Sequence, residues 1–179
     1  MKKTFSLFNQ LAWFLCWLAF VSTVQADPLA VGQTAPQFQL KAQDGQEYSL
    51  RSRLGVGWTV LYFYPKAGTP GCTTQACAFR DAIQAIRKLN TEVYGISTDE
   101  VADLQVFHQK HKLGFNLLAD ADAKVTAAYG VKMPVLQMAK RWTFILDPQL
   151  VIREIDEDVD PALDAQRVAA RLQVLQSRP

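Results

Sequence analysis

The stretch that most restricts how this chain can fold runs from Trp58 to Leu89. Trp58 to Tyr64 is a continuous, largely apolar and aromatic run. Its length and its Val and aromatic content suit a strand buried on both faces. Pro65 to Gly71 follows as a loop rich in Pro and Gly. From about Cys72 to Leu89 the residues Phe79, Ala82, Ile83, Ile86 and Leu89 recur at helical spacing and make one apolar face. A buried strand that feeds a helix through a short loop belongs to an open sheet. Such sheets gather their sites at the carboxyl ends of the strands, which is where Cys72 falls.

The remaining segments extend this pattern. Residues 35–40 and 47–50 read as short strands around the turn Asp44-Gly45. Thr91 to Ser97 reads as the next strand, and Ser97-Thr98-Asp99-Glu100 as a helix start leading to about Leu113. Phe115 to Leu118 is a short strand, and Asp120 or Asp122 caps a helix reaching Tyr129. Met133 to Lys140 is a loop. Trp142 to Leu146 and Leu150 to Ile155 form a hairpin. A last helix begins at Asp160-Pro161, with Leu163, Val168, Leu172 and Leu175 inward. The expected architecture is α/β, a central mixed β-sheet flanked by helices on both faces. The pattern holds no repeats and no second domain.

Residues 1–26 read as a leader. Lys2 and Lys3 precede an apolar run from Leu11 to Val21, and Val24-Gln25-Ala26 forms a small-residue cleavage site before Asp27. The expectation is an exported protein, of the bacterial periplasm, with one domain over residues 27–179. The alternative is an uncleaved anchor, although the run is shorter than the ~20 residues of a membrane-spanning helix. Cleavage after Ala26 leaves 153 residues with 17 basic and 17 acidic side chains. A charge near zero gives no reason to propose nucleic acid or an acidic membrane as partner. Cys16 leaves with the leader, so the mature chain keeps Cys72 and Cys77.

The surroundings of Cys72 favour a reactive sulfur. The thiolate is the nucleophile, and an ordinary thiol with a pKa near ~8.5 is mostly protonated at neutral pH. At a helix start, the unpaired N–H groups of the first turn carry partial positive charge. Thr69 can hydrogen-bond a thiolate or a bound oxygen, and Pro65 and Pro70 stiffen the loop. Cys77 lies five residues on. On an intact helix the two Cα atoms would be roughly 8.6 Å apart, beyond the ~6.8 Å that a disulfide usually allows. Bonding them requires the first turns to unwind, which suits a cycling pair better than a structural staple. Cys-X-X-Cys spacing, the mark of thioredoxin-type exchange, is absent.

Pro65, Thr69 and Cys72 have the spacing of the peroxiredoxin motif: Pro, three residues, Thr, two residues, Cys. Cys77 matches the second cysteine of the bacterioferritin-comigratory or peroxiredoxin Q subfamily. Phe63-Tyr64-Pro65-Lys66, Phe79-Arg80-Asp81 and Gly95-Ile96-Ser97-Thr98-Asp99 are similar to it too, and Arg141 stands just before a late strand as the family's arginine does. The chain resembles that family from Pro28 to Leu175. The resemblance implies a thioredoxin-like fold and thiol peroxidase activity on hydrogen peroxide or alkyl hydroperoxides. Cys72 would be the peroxidatic thiolate and Cys77 the resolving cysteine of an intrachain disulfide. Thr69 would orient the peroxide, Arg141 would stabilise negative charge, and Pro65 would shield the pocket. A thioredoxin-like protein or another dithiol would be the reductant, and the chain would act as a monomer. No metal or organic cofactor is implied. The loop with Met133, Pro134, Val135, Leu136 and Met138 is expected to be compact and to bias the pocket toward organic hydroperoxides.

Other features carry less. Gln75, one turn past Cys72, either supports the pocket through Arg141 or is a solvated helix residue. Arg80 and Asp81 read as a surface pair. His108 and His111 with the two cysteines lack the spacing of a zinc site. Gly55-Val56-Gly57 precedes a strand rather than a helix and is no phosphate loop. Glu154 to Asp160 reads as a solvated acidic connection. Two other functions compete with a peroxidase: an exported thiol–disulfide oxidoreductase and a redox sensor acting on protein partners. Neither needs Thr69 and Arg141 where they stand.

Overall fold

A computed structural model describes residues 28–177. The expected leader over 1–26, with Trp13, Cys16 and Trp17, lies outside the described residues. In chain order the elements are β1 (Gln39–Ala42), β2 (Glu47–Ser49), a 3-10 turn (Leu50–Arg53), β3 (Trp58–Phe63), α1 (Pro70–Lys88), β4 (Thr91–Ser97) and α2 (Val101–His111). They continue with β5 (Asn116–Ala119), α3 (Lys124–Ala128), β6 (Trp142–Leu146), β7 (Ile152–Asp156) and α4 (Asp164–Gln176). The seven strands form one sheet in the order β2-β1-β5-β4-β3-β6-β7. The inner pairs β3–β4 and β4–β5 are parallel, while β3–β6, β6–β7, β1–β5 and β1–β2 are antiparallel.

The sheet is mixed and covered on both faces, as its sequence pattern predicts, but unequally. Alternation along β3 divides the core. Val60 and Tyr62 point to one face, where Ile83 and Ile86 of α1, Leu104 and Phe107 of α2, and Val168 and Leu172 of α4 pack. Leu61 and Phe63 point to the other, where Val125 of α3 and Tyr129 join Phe38, Leu50, Phe144 and Ile152. On the first face Tyr62 stacks on Phe79 with ring centroids 4.7 Å apart. Gly95 makes room for that ring, since a Cβ there would sit 2.6 Å from Tyr62 Cζ.

Three expectations shift. The first strand is not 35–40 but β1. Residues 32–35 instead lean on the start of β7, with Gly32 N–H donating to Ile152 O at 2.8 Å and Ala35 N–H to Leu150 O at 2.8 Å. The second helix starts at Val101 without a side-chain cap, because Asp99 bonds elsewhere. The last helix starts at Asp164, not at Asp160-Pro161. Asp160 forms a turn first, its carbonyl accepting from the N–H groups of Leu163 (3.1 Å) and Asp164 (3.0 Å). That turn leaves Leu163 42% exposed and carries Asp164 inward instead, only 1% exposed. The acidic run is also more than a connection, since Glu154 lies in β7 and pairs with Arg171 of α4 at 2.5 Å.

Candidate active site around Cys72

Helix α1 begins two residues before its expected start, so Cys72 is the third helical residue rather than the first. Thr69 is the N-cap, Pro70 occupies the first position where its missing N–H costs nothing, and no side chain caps the helix. The first intrahelical bond runs from Thr73 N–H to Thr69 O at 2.9 Å. The N–H groups of Gly71 and Cys72 are therefore left over, as helix geometry requires, and they face the end at which Cys72 lies. Among the described residues Cys72 and Cys77 are free thiols, Cys72 buried and Cys77 half-buried. They share one unbroken helix, which keeps them as far apart as their spacing demands.

Arg141, just before β6, reaches across to this end. Its Nη2 donates to Cys72 Sγ at 3.3 Å. Its Nη1 donates to Gln75 Oε1, and Gln75 Nε2 in turn donates to Asp164 Oδ2 at 2.6 Å. Thr143 Oγ1 donates to the same carboxylate oxygen at 2.9 Å. Gly71 admits the guanidinium, since a Cβ at that position would lie 3.3 Å from Arg141 Nη2. Gln75 is thus fully buried rather than solvated, and it accepts from Arg141. Burial pushes the Asp164 carboxyl up to about 6, against the opposing pull of its bonds from Gln75 and Thr143. The phenols of Tyr62 and Tyr64 are buried with Cys72 in the same cluster, and burial drives both well above the usual tyrosine range. Both rings therefore stay neutral beside the sulfur.

The loop that presents α1 is held from β4. Asp99, buried just past that strand, accepts from Ala67 N–H at 2.8 Å and Ser97 Oγ at 2.8 Å and pairs with Lys66 Nζ at 2.7 Å. Asp99 pins the loop that leads into α1 and makes no cap to α2. Thr69 Oγ1 donates to Lys66 O at 2.9 Å. Its proton is committed there, so toward the pocket the hydroxyl can offer only lone pairs. Pro65 follows β3 and is half-buried.

Cys77 has a different setting. Its Sγ lies 3.9 Å from His111 Nδ1, at the end of α2. Arg80 pairs with Asp81 at 2.8 Å, as the surface reading expects, and also donates to His111 O at 3.1 Å, tying α1 to α2. Burial lowers the His111 imidazole below its ordinary range. His108 stays apart from both sulfurs and lines a cleft with Arg53, Arg87 and Glu92. The loop before Arg141 is not compact: Val135 at its tip is 92% exposed. A cavity of about 610 Å³ lies on the α3 face between β1 and α3 and includes none of these groups.

The structure brings Cys72, Arg141 and Gln75 together, with Thr69 and Pro65 on the adjoining loop. Sequence reasoning missed Asp164, Thr143, Asp99 and the two tyrosines. Asp99 and Tyr64 lie within the motif segments Gly95-Ile96-Ser97-Thr98-Asp99 and Phe63-Tyr64-Pro65-Lys66, a usable signal. Asp164 offered none, since an acid in a first helical turn ordinarily reads as a solvated partner of the helix dipole.

Residues 31–155 match the AhpC/TSA family. The chloroplast peroxiredoxin Q of Oryza sativa subsp. japonica is 43% identical over 125 residues, which make up 69% of this chain and 57% of that protein. The chain therefore spans less than two thirds of that plant relative. Peroxiredoxin Bcp of Escherichia coli K12 is 39% identical over 138 residues, 74% of this chain and 88% of the relative. The crystal structure of peroxidoxin BcpB from Mycobacterium tuberculosis is similar with a TM-score of 0.78 at 33% identity, covering 83% of this chain and 99% of that one.

Proposed function

The chain belongs to the AhpC/TSA family, the peroxiredoxins, with their thioredoxin-like fold, and we propose that it is a thiol-dependent peroxidase acting on hydrogen peroxide and alkyl hydroperoxides. The observation that carries this reading is the Arg141 Nη2 contact to Cys72 Sγ at 3.3 Å, at a helix start with unused N–H groups. A guanidinium is always charged and offers several donors in one plane. Here one nitrogen faces the sulfur while the other is anchored on Gln75, so the charge is fixed before any peroxide arrives. Preorganised donors of this kind favour the state in which negative charge develops.

The Cys72 thiolate attacks the nearer oxygen of the peroxide. An S–O bond forms, the O–O bond breaks, and its electron pair leaves with the distal oxygen. That oxygen takes up a proton and departs as water or an alcohol, while Cys72 becomes a sulfenic acid. Arg141 and the N–H groups of Gly71 and Cys72 offset the charge on the transferring oxygens. Thr69 accepts from the peroxide O–H through its free lone pairs and so sets which oxygen faces the sulfur. Pro65 shields the thiolate from bulk water.

The first turns of α1 then unwind, and the Cys77 thiol attacks the sulfenic sulfur. The S–O bond breaks, water leaves, and a Cys72–Cys77 disulfide remains. A thioredoxin-like or other external dithiol reduces it, becoming oxidised in exchange. The domain works as a monomer, and residues 1–26 direct it to the periplasm, with retention by an uncleaved anchor as the alternative outcome. N-terminal sequencing of the exported form decides between the two.

Peroxide consumption with dithiothreitol as reductant tests the activity. Wild type is expected to turn over both peroxide classes, and Cys72→Ser to consume none above background. Full turnover by Cys72→Ser would remove the assignment.

A further inference from the structure

Among the described residues no carboxylate lies within ion-pair reach of Arg141. The guanidinium is held by a neutral amide, and the nearest buried negative group in its chain of contacts is one residue further away. We propose that Asp164, on the first turn of α4, is a positioning residue for the Cys72 thiolate. It fixes the amide of Gln75 so that only the carbonyl oxygen can face Arg141, and through Gln75 it aims the guanidinium at the sulfur. This role rests on the peroxidase reading of Cys72.

Donor and acceptor counts fix the orientation of the Gln75 amide. An ionised carboxylate only accepts hydrogen bonds. Asp164 Oδ2 accepts from Gln75 Nε2 at 2.6 Å and from Thr143 Oγ1 at 2.9 Å. The nitrogen of Gln75 must therefore point at α4, and its oxygen is left for Arg141 Nη1. The reverse orientation would set an amide N–H₂ against a guanidinium N–H and a carbonyl oxygen against a carboxylate, two repulsions in a buried place. A direct carboxylate on Arg141 would draw the guanidinium toward itself and oppose its field at the sulfur. The interposed amide passes on direction without neutralising charge.

The position of Asp164 supports a purpose beyond packing. Its side chain is buried between α1 and β6, yet its Oδ1 has no hydrogen-bond partner. The charged and titratable groups around it are Asp156 on β7, Arg141 before β6 and the neutral Tyr62 phenol on β3. Burial raises its carboxyl to about 6, so the charge is kept at neutral pH against the fold's own preference. A side chain chosen for stability alone would be apolar here or have both oxygens bonded.

Asp164→Asn is the test. An amide at 164 can present either its oxygen or its nitrogen, so the orientation of Gln75 is no longer forced. The readout is the pH profile for alkylation of Cys72 by iodoacetamide in the Cys77→Ser background. It needs no peroxide and so stands or falls separately from the peroxidase reading. The midpoint is expected to move up by about one pH unit, and the rate with hydrogen peroxide to fall about tenfold, within the range seen for coupled neighbours. Thermal stability at pH 7 should be undiminished. With Arg141→Lys already present, Asp164→Asn should add little, because the guanidinium it aims is gone. Asp164→Ser, smaller and still polar, should shift the midpoint in the same direction. An unchanged alkylation profile in folded Asp164→Asn would overturn the role, as would a full additional loss on top of Arg141→Lys.

Discussion

The two cysteines share one helix and meet opposite surroundings. Cys72 is buried at the N-terminus of α1, facing a guanidinium 3.3 Å away whose other nitrogen is tied into Gln75, Asp164 and Thr143. Cys77 is half-buried, and its polar neighbours are an imidazole at 3.9 Å on a different helix and the Arg80 guanidinium nearby on its own. At Cys72 the guanidinium donates to the sulfur itself, whereas at Cys77 the Arg80 guanidinium is spent on Asp81 and on His111 O. Under the proposed mechanism the difference follows from what each sulfur has to do. A nucleophile that must be ionised before its substrate arrives needs a field that does not move. A resolving thiol must leave its place to reach a partner roughly 8.6 Å away along the helix, so tight bonds at Cys77 would hold back the step it performs.

Removing the rigid field should have the largest effect. Arg141→Ala is expected to lower the second-order rate with hydrogen peroxide by about 10²–10³-fold, the loss typical of one preorganised donor to a developing charge. Stopped-flow measurement of the first oxidation step should show this, with disulfide formation from any sulfenic acid already made left unaffected. A loss confined to the second step would reverse the comparison.

A smaller displacement sharpens it. Gly71→Ala would put a methyl 3.3 Å from Arg141 Nη2, and the guanidinium must give by a few tenths of an ångström. The rate of the first step should fall about tenfold, since misplacements of this scale are costly in catalysis. Circular dichroism should show α1 intact.

The charged setting also has a cost in stability that the Cys77 end lacks. Asp164 is raised from the ordinary carboxylate value to about 6 by burial, so the folded state binds its proton more tightly than the unfolded chain does. Its contribution to stability is fully present below the unfolded value and is lost as the pH rises through about 6. For a shift of this size the loss is on the order of 2–3 kcal/mol. Urea titrations at pH 4.5 and pH 7 should show most of this loss in wild type and less of it in Asp164→Asn. Equal pH dependence in the two proteins would contradict the assignment.

The smallest effect is expected at the Cys77 end. His111→Ala removes one weak contact to Cys77 and should speed disulfide formation by about two- to fivefold, the scale of a modest hydrogen bond. The first oxidation step should keep its rate. Rapid-quench trapping of the sulfenic acid separates the two steps.

The contrast also explains which parts were legible in the sequence. The strand Trp58–Phe63, the loop and α1 could be read because burial period, Pro and Gly punctuation and motif spacing agree there. β4 and β6 were read with their full bounds for the same reason. The chain ends of the sheet were less legible, since residues 32–35 choose between partners that lie far apart in sequence. Within the site, Cys72 follows from its place at a helix start, Arg141 from the family resemblance, and Gln75 stands in the sequence only as one of two open readings. Asp164 does not, because apolar periodicity assigns the inward place to Leu163. Only the turn at Asp160 and the bonds from Gln75 and Thr143 reverse those two neighbours. Likewise Asp99 reads only as part of a helix start until Ala67 and Lys66 claim it.

Mass spectrometry of the fully reduced protein after a brief pulse of hydrogen peroxide tests the central claim most directly. Wild type should carry a Cys72–Cys77 disulfide, Cys77→Ser should accumulate sulfenic or further oxidised Cys72, and Cys72→Ser should stay unmodified. Equal oxidation of the two single variants would show that α1 does not set the sulfurs apart, and would contradict the account.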